Sequence, residues 1–233
     1  IRHRRTKRHD QATSSTNGHD DEPADGTSDY YVQKRPTTKL NIAIWNANGL
    51  CQRTREFGHF LIENKIDIAL ISETHFTDKS FMRLPDYEIY HTNHPSGGAH
   101  GGTAVVVHKT IKIIDDSKYK QSHIQSTAIK IEDKHGPLTI AAIYCPPRHI
   151  ITTIQCKDYL QTLGHRFIVG GDLNCKHTDW GSRLTNGKEK TLLNVLKTNN
   201  AKFISTGEPT YWPADTHKKP DLIDFAIYKN ITN

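Results

Sequence analysis

From Leu40 onward the sequence is built of short apolar runs that stop abruptly on a polar residue, and this pattern constrains the fold most. Leu40-Asn41-Ile42-Ala43-Ile44-Trp45 runs into Asn46-Ala47-Asn48-Gly49-Leu50, and Asp67-Ile68-Ala69-Leu70-Ile71-Ser72 delivers Glu73. Leu138 to Ile143 ends at Tyr144 before Pro146-Pro147, Phe167-Ile168-Val169 ends at Gly170-Gly171-Asp172-Leu173-Asn174, and the run from Asp221 to Ile227 carries Asp224. Runs this short, bounded by turn residues, read as buried strands rather than helices. In an extended segment, positions i and i+2 share a side. Asp172 and Asn174 then face one spot, while Leu173 points into the core. Taken singly, each of these polar residues has a plainer reading as a turn former or a solvated cap. Five such strand ends in one chain point instead to a shared cleft at one edge of a sheet.

The remaining periodicities complete an α/β pattern. Thr54 to Lys65, Ile150 to Leu163 and Glu189 to Asn199 read as helices, the first with Phe57, Phe60 and Leu61 on one face. Tyr87 to His91, Thr103 to His108 and Lys202 to Ser205 read as strands. Ile124 to Glu132 and Leu138 to Tyr144 flank Lys134-His135-Gly136-Pro137 as a hairpin. Thr210-Tyr211-Trp212 and Asp221 to Ile227 read as the last two strands. Hairpins mixed with strand–helix–strand units predict a two-sheet α/β sandwich with mixed sheets. No Gly-x-Gly-x-x-Gly opens a helix. The glycines between Gly97 and Gly102 precede a strand, so they read as a turn and not as a phosphate cradle.

Residues 1–38 read as a disordered charged tail and 39–233 as the folded domain. The tail has few large apolar groups to offset its ordering entropy. Its basic start, Arg2, Arg4, Arg5, Lys7 and Arg8, suits a nucleic-acid arm or nuclear import signal, or simply a solvated linker. The first residue is Ile1 rather than Met, which reads as a fragment or processed product. No apolar run approaches the length of a membrane span, and no membrane partner is expected. The four cysteines lack Cys-x-x-Cys spacing, which predicts reduced thiols and an intracellular location, nuclear or cytoplasmic. A net charge of +6 is compatible with a polyanionic partner.

The chemistry such a cleft best supports is metal-assisted phosphodiester hydrolysis. A hard divalent cation takes oxygen ligands but only one or two carboxylates, and Glu73 suits it. Asp172 suits a base that orients water. Asn46, Asn174 and Tyr144 can hold a phosphate without adding negative charge. His75 lies two residues after Glu73, but a zinc site has no matching cysteine or spaced histidine.

At these residues the sequence resembles the endonuclease/exonuclease/phosphatase superfamily. Trp45-Asn46-Ala47-Asn48-Gly49-Leu50, Ser72-Glu73-Thr74, Ile143-Tyr144-Cys145-Pro146-Pro147, Gly171-Asp172-Leu173-Asn174 and Ile223-Asp224-Phe225 are similar to its motifs. Lys176-His177-Thr178-Asp179-Trp180-Gly181-Ser182-Arg183, Pro209-Thr210-Tyr211-Trp212-Pro213 and Pro220 to Phe225 look like the endonuclease domain of jockey-type non-LTR retrotransposons. The resemblance implies a DNase I-like sandwich and a Mg²⁺-dependent endonuclease, with Mn²⁺ as the alternative ion. It places Glu73 and Asn48 at the metal, with Asp172, Asn174, Tyr144, Asp224 and Asn46 as catalytic residues. It puts His177, Trp180, Arg183, Thr210, Tyr211 and Trp212 against DNA, although Trp180 can equally close the core. In that family the domain nicks chromosomal DNA to prime reverse transcription, and a reverse transcriptase domain belongs to the intact element. None of the 15 histidines follows Asp224, so the family's Ser-Asp-His motif and final strand are absent from this sequence. The expectation is therefore a truncated copy. A catalytically inactive DNA-binding remnant and another phosphoesterase of the superfamily stay open as alternatives.

Overall fold

The structure is a computed structural model that describes residues 39–185 and 189–231. The disorder expected for residues 1–38 lies outside the described residues. Among the described residues the domain has ten strands: β1 (Ile42–Asn46), β2 (Ile68–Ser72), β3 (Tyr87–Thr92), β4 (Thr103–His108), β5 (Ile113–Lys120), β6 (Gln125–Asp133), β7 (Gly136–Tyr144), β8 (Phe167–Asp172), β9 (Lys202–Ile204) and β10 (Asp224–Lys229). Three helices join them: α1 (Thr54–Glu63), α2 (Thr153–Thr162) and α3 (Glu189–Thr198). The strands form a four-stranded sheet, β1-β2-β4-β3, and a six-stranded sheet, β5-β6-β7-β8-β10-β9. Both are mixed: β1 runs parallel to β2 and β7 parallel to β8, and the other pairs are antiparallel.

Strand alternation sorts the apolar residues into three layers. Ile68 and Leu70 of β2, Val105 and Val107 of β4 and Leu138, Ile140 and Ala142 of β7 fill the space between the sheets. Their neighbours Ala69, Ile71, Ala104 and Val106 pack outward with Phe57 and Leu61 of α1. On the far side, Ala141, Ile143, Phe167, Val169, Phe225 and Ile227 pack with Tyr159 and Leu160 of α2 and Val195 and Leu196 of α3. Strand β2 is thus buried on both faces, which is why its sequence is an unbroken apolar run. Helix α2 begins three residues later than its periodicity suggests. Thr152 caps it, accepting from the Gln155 N–H at 3.2 Å while Gln155 Oε1 accepts from the Thr152 N–H at 3.0 Å.

Two segments differ from expectation. The strand β5, unpredicted, carries Asp115, Asp116, Lys118 and Lys120 and is almost wholly exposed. It is an edge strand whose backbone pairs with β6 while its side chains face water, so it has no apolar signature. Thr210-Tyr211-Trp212 forms one bridge, Tyr211 to Asp221, and no strand. Pro209, Pro213 and Pro220 flank it and cannot donate to a ladder. That bridge also delays the start of β10 to Asp224.

The sheets approach closely at Gly170 and Gly171. A Cβ on Gly170 would lie 2.5 Å from Ile44 Cδ1, and one on Gly171 would lie 2.1 Å from the Ile143 carbonyl oxygen and 2.7 Å from Ser72 Oγ. Gly171 also has φ +152°. Gly170→Ala should cost about 1–3 kcal/mol, since only the tip of Ile44 must move. Gly171→Ala should cost clearly more, because backbone blocks the new methyl. Urea denaturation of the two variants checks the order; equal losses would contradict this packing.

Candidate active site

Strand register brings the predicted polar residues to one level. Across the smaller sheet, Asn46 lies beside Ser72, Ser72 beside Thr103 and Thr103 beside Thr92. Across the larger, Gln125 lies beside Tyr144, Tyr144 beside Asp172 and Asp172 beside Asp224. All sit on the alternation side that carries the inter-sheet core, so the apolar layer ends in a polar row along one edge. Thr103, Thr127 and Thr92 link hydroxyls at 2.8 Å and close that row deep in the fold. Ser72 ties the sheets together. It accepts from the Asp172 N–H at 3.0 Å and donates to the Ile143 carbonyl at 2.8 Å.

Asn46 is the centre of the site. Its Nδ2 donates to Glu73 Oε1 and to Asp172 Oδ2, both at 2.9 Å, and its Oδ1 accepts from the Asn48 N–H at 3.0 Å. That last bond fixes which end of the amide faces the carboxylates. Glu73 reaches the cleft from a left-handed turn with φ +53°, and its other oxygen pairs with His75 Nε2 at 3.3 Å. The turn is held by backbone bonds from Gly49 to Glu73 and from His75 to Gly101. Asn174 joins the site by a different route from the one its spacing suggests. It is not extended but left-handed, with φ +47°. Its N–H donates to Asp172 Oδ1 at 2.9 Å and its amide to the Cys145 carbonyl at 3.2 Å. Leu173 is buried, as predicted.

Burial and mutual repulsion set the charges. Burial holds Asp172 well above the usual carboxylate range, and Asp224 and Glu73 raise it further against the hydrogen bonds from Asn174 and Asn46. Burial pushes Asp224 up to about 6, opposed by Thr210 and reinforced by Glu73. Asp224 Oδ1 is buried without a hydrogen-bond partner among the described residues. Burial, then Glu73 and Asp172, raise Tyr144 so far that it keeps its hydroxyl proton.

The outer residues divide. Trp180 does not face a ligand: it is 1% exposed, stacks on Phe225 at 4.9 Å and donates Nε1 to the Cys175 carbonyl at 3.0 Å. The expectation of DNA contact there is corrected, because the loop needs an apolar plug more than the surface needs an aromatic. His177 caps the short turn that holds Trp180, its Nδ1 accepting from the Asp179 N–H at 2.9 Å. Arg183 donates to the Pro220 carbonyl at 2.8 Å and its N–H to Asp221 Oδ1 at 3.0 Å, so it braces the segment before Asp224. Thr210 Oγ1 accepts from the Ile223 and Asp224 N–H groups and so positions Asp224. Tyr211 and Trp212 are exposed, 46% and 66%, beside this segment. Asn48 is exposed and enters the site's hydrogen bonding through its backbone N–H. Sequence reasoning missed Ser72 and Asp221. Asp221 is buried and pairs with Lys176 at 2.9 Å. For Ser72 the signal was its place on the same side as Leu70, one residue before Glu73.

The pattern of the Endonuclease/Exonuclease/phosphatase family matches residues 43–232. The chain belongs to that family. Among curated proteins, the Drosophila melanogaster "Probable RNA-directed DNA polymerase from transposon X-element" is 34% identical over 82% of this chain. The Drosophila funebris "RNA-directed DNA polymerase from mobile element jockey" is 32% identical over 83%. The chain spans about a fifth of the length of these relatives, 21% in each. Among solved structures, the endonuclease domain of TRAS1, a telomere-specific non-LTR retrotransposon, superposes with TM-score 0.66 at 20% identity, covering 82% of this chain and 86% of that one. The AP endonuclease LMAP from Leishmania major gives TM-score 0.67 at 12% identity, covering 82% and 79%. The DNase I-like sandwich expected from the motifs is therefore the fold of this member of the family. Among the described residues the outer edge of β1 is unpaired, and a crevice of about 370 Å³ lined by Ile42, Ile44, Ile204, Thr210 and Asp224 opens beside it.

The raised carboxyls make a stability prediction. Folded Asp224 and Asp172 hold protons to a higher pH than they do unfolded. Their favourable contribution is present below the ordinary Asp value of 3.8 and is lost as pH rises through about 6. In chelator, Asp224→Asn should therefore gain stability relative to the parent chain across that window. Urea midpoints at pH 4 and pH 7 test this; a gap that stays constant would refute it.

Proposed function

We propose that this domain is a Mg²⁺-dependent DNA endonuclease that nicks target DNA for retrotransposition, as part of a longer retroelement protein that also carries a reverse transcriptase. The observation that carries the reading is the Asn46 amide joined at 2.9 Å to both Glu73 and Asp172, one from each sheet. It sets a metal-binding type of carboxylate beside a base, at a cleft edge composed of amides, a phenol and acids.

The donor set fits a hard cation. Burial first, then Asp224 and Glu73, raise the proton affinity of Asp172, and burial then Glu73 raise that of Asp224, an excess of negative charge that a divalent ion would offset. No three acidic, histidine or cysteine groups among the described residues converge to hold a metal by themselves. That suits Mg²⁺, which keeps waters and substrate oxygens in its shell. Glu73 would hold the ion, with Asn48 beside it; Mn²⁺ is the alternative. When bound, the ion polarises the phosphate and offsets its developing charge. Asp172 orients the attacking water and accepts its proton, a task favoured by a raised carboxyl. Asn46 and Asn174 hold Asp172 in place. Tyr144 stays protonated and donates its hydroxyl toward the phosphate. Thr210 and Arg183 position Asp224 and the loop before it, and exposed Tyr211 and Trp212 flank the cleft as a stacking surface for DNA, with His177 bracing the facing loop. A domain that cuts chromosomal DNA would act in the nucleus.

A second reading, a DNA-binding remnant without activity, draws on the buried Asp224 oxygen that has no described partner. Plasmid nicking separates the two. The chain should relax supercoiled plasmid with Mg²⁺ and not in chelator. Glu73→Ala and Asp172→Asn should each lower the rate by ~10²–10⁴-fold. Nicking that survives in Glu73→Ala would sink the endonuclease reading. Binding of DNA without any Glu73-dependent nicking, here and in a version extended through a Ser-Asp-His segment, would establish the remnant.

A further inference from the structure

A second polar cluster adjoins Tyr144, and the reaction above leaves it unused. Gln125 lies opposite Tyr144 in the β6–β7 register and is fully buried. Its Oε1 accepts from the Gly102 N–H at 2.6 Å, while its Nε2 has no hydrogen-bond partner among the described residues. A Cβ placed on Gly101 would lie 2.6 Å from Gln125 Oε1 and 3.3 Å from both His94 Cδ2 and Tyr144 Cε1. The three side chains therefore meet around that glycine. The His94 ring lies 3.9 Å from the His100 ring. His149 and Lys120 also act electrostatically on His94, and His149 acts on His123, whose Nε2 is buried without a partner among the described residues. The β3–β4 connection thus brings His94 and His100 to the rim beside Tyr144, and Lys120 at the end of β5 and His149 of the β7–α2 connection add to the positive charge felt there.

A pair of histidine rings in contact, with further basic groups acting on them and a buried amide donor that lacks an acceptor among the described residues behind, is suited to an anion. We propose that His94, His100, His149 and Lys120, backed by Gln125, form a second phosphate subsite. It holds the phosphodiester adjacent to the one presented to Asp172 and so fixes the register of the DNA strand. The inference rests on the endonuclease reading. It differs from a backbone phosphate cradle, because the glycines of this loop are spent on Gln125 and on the Glu73 turn. Burial and the neighbouring positive groups lower His94, and burial and His149 lower His123. A phosphate bound beside His94 opposes the shift of that ring and favours its protonated form. DNA binding through this subsite therefore takes up protons and tightens as pH falls.

The test is fluorescence anisotropy of a labelled duplex oligonucleotide with the whole chain, in chelator to prevent cleavage, at several salt concentrations. His100 and His149 are exposed, so His100→Asn/His149→Asn leaves the core intact. The parent chain should bind roughly tenfold tighter at pH 5.8 than at pH 7.8. The double variant should lose most of that gain, and its salt slope should fall by about 1. His135→Asn/His165→Asn, at the opposite end of β7 and β8, should keep both. If the parent binds DNA and the double variant keeps its pH and salt response, the subsite is refuted and the endonuclease reading stands. If the parent binds no DNA at either pH, both fail.

Discussion

No side chain separates β8 from its neighbours at Gly170 and Gly171, and the site depends on that closeness. The missing Cβ atoms let Ile44 and Leu70 press onto Gly170, and let Ser72 reach the backbone of both β7 and β8. Only then does Asn46, on one sheet, come within 2.9 Å of Asp172 on the other. Larger residues would hold the sheets apart by more than a hydrogen bond can span. The glycines therefore act through distance as well as through turn conformation.

Closeness creates an electrostatic problem, and the choice of side chains answers it. Glu73, Asp172 and Asp224 share one cleft, and burial largely denies water to Asp172 and Asp224. Amide and hydroxyl donors from Asn46, Asn174, Ser72 and Thr210 hold the acids in place without adding charge. The remaining repulsion keeps Asp172 and Asp224 ready to take up a proton or to face a cation. The same cleft is thus stabilised by a proton or a counter-charge. Past Tyr144 the neighbours are different: His94, in ring contact with His100, adjoins Tyr144 and Gln125.

Much of this was legible because strand alternation is a strict rule. A polar residue that ends an apolar strand must lie on one of two sides, and Asn46, Ser72, Tyr144, Asp172 and Asp224 all continue the inter-sheet side. What was less legible lay where alternation stops. Asn174 follows a left-handed turn, so its spacing from Asp172 suggested the right neighbour by the wrong geometry. Trp180 belongs to a long motif string, but a string does not say which of its members is buried. Thr210 and Arg183 looked like surface contacts, and their partners, Asp224 and Pro220, became visible only when two loops were laid together. Strand β5 lacks an apolar face, and no pattern of hydrophobicity could announce it.

The sequence alone determined most of the strand and helix order, though neither the exposed β5 nor the loss of a strand at Thr210-Tyr211-Trp212, together with the two-sheet class and the set of polar residues that end the strands, because hydrophobic period and turn residues are local properties. It also carried the family motifs, since these are contiguous strings. Tertiary structure alone decided which sheet faces which, that one amide bridges Glu73 and Asp172, that Trp180 is core, and that His94 of the β3–β4 connection comes beside Tyr144 and Gln125. These are contacts between residues far apart in the chain, and their distances follow from how closely the packed sheets approach.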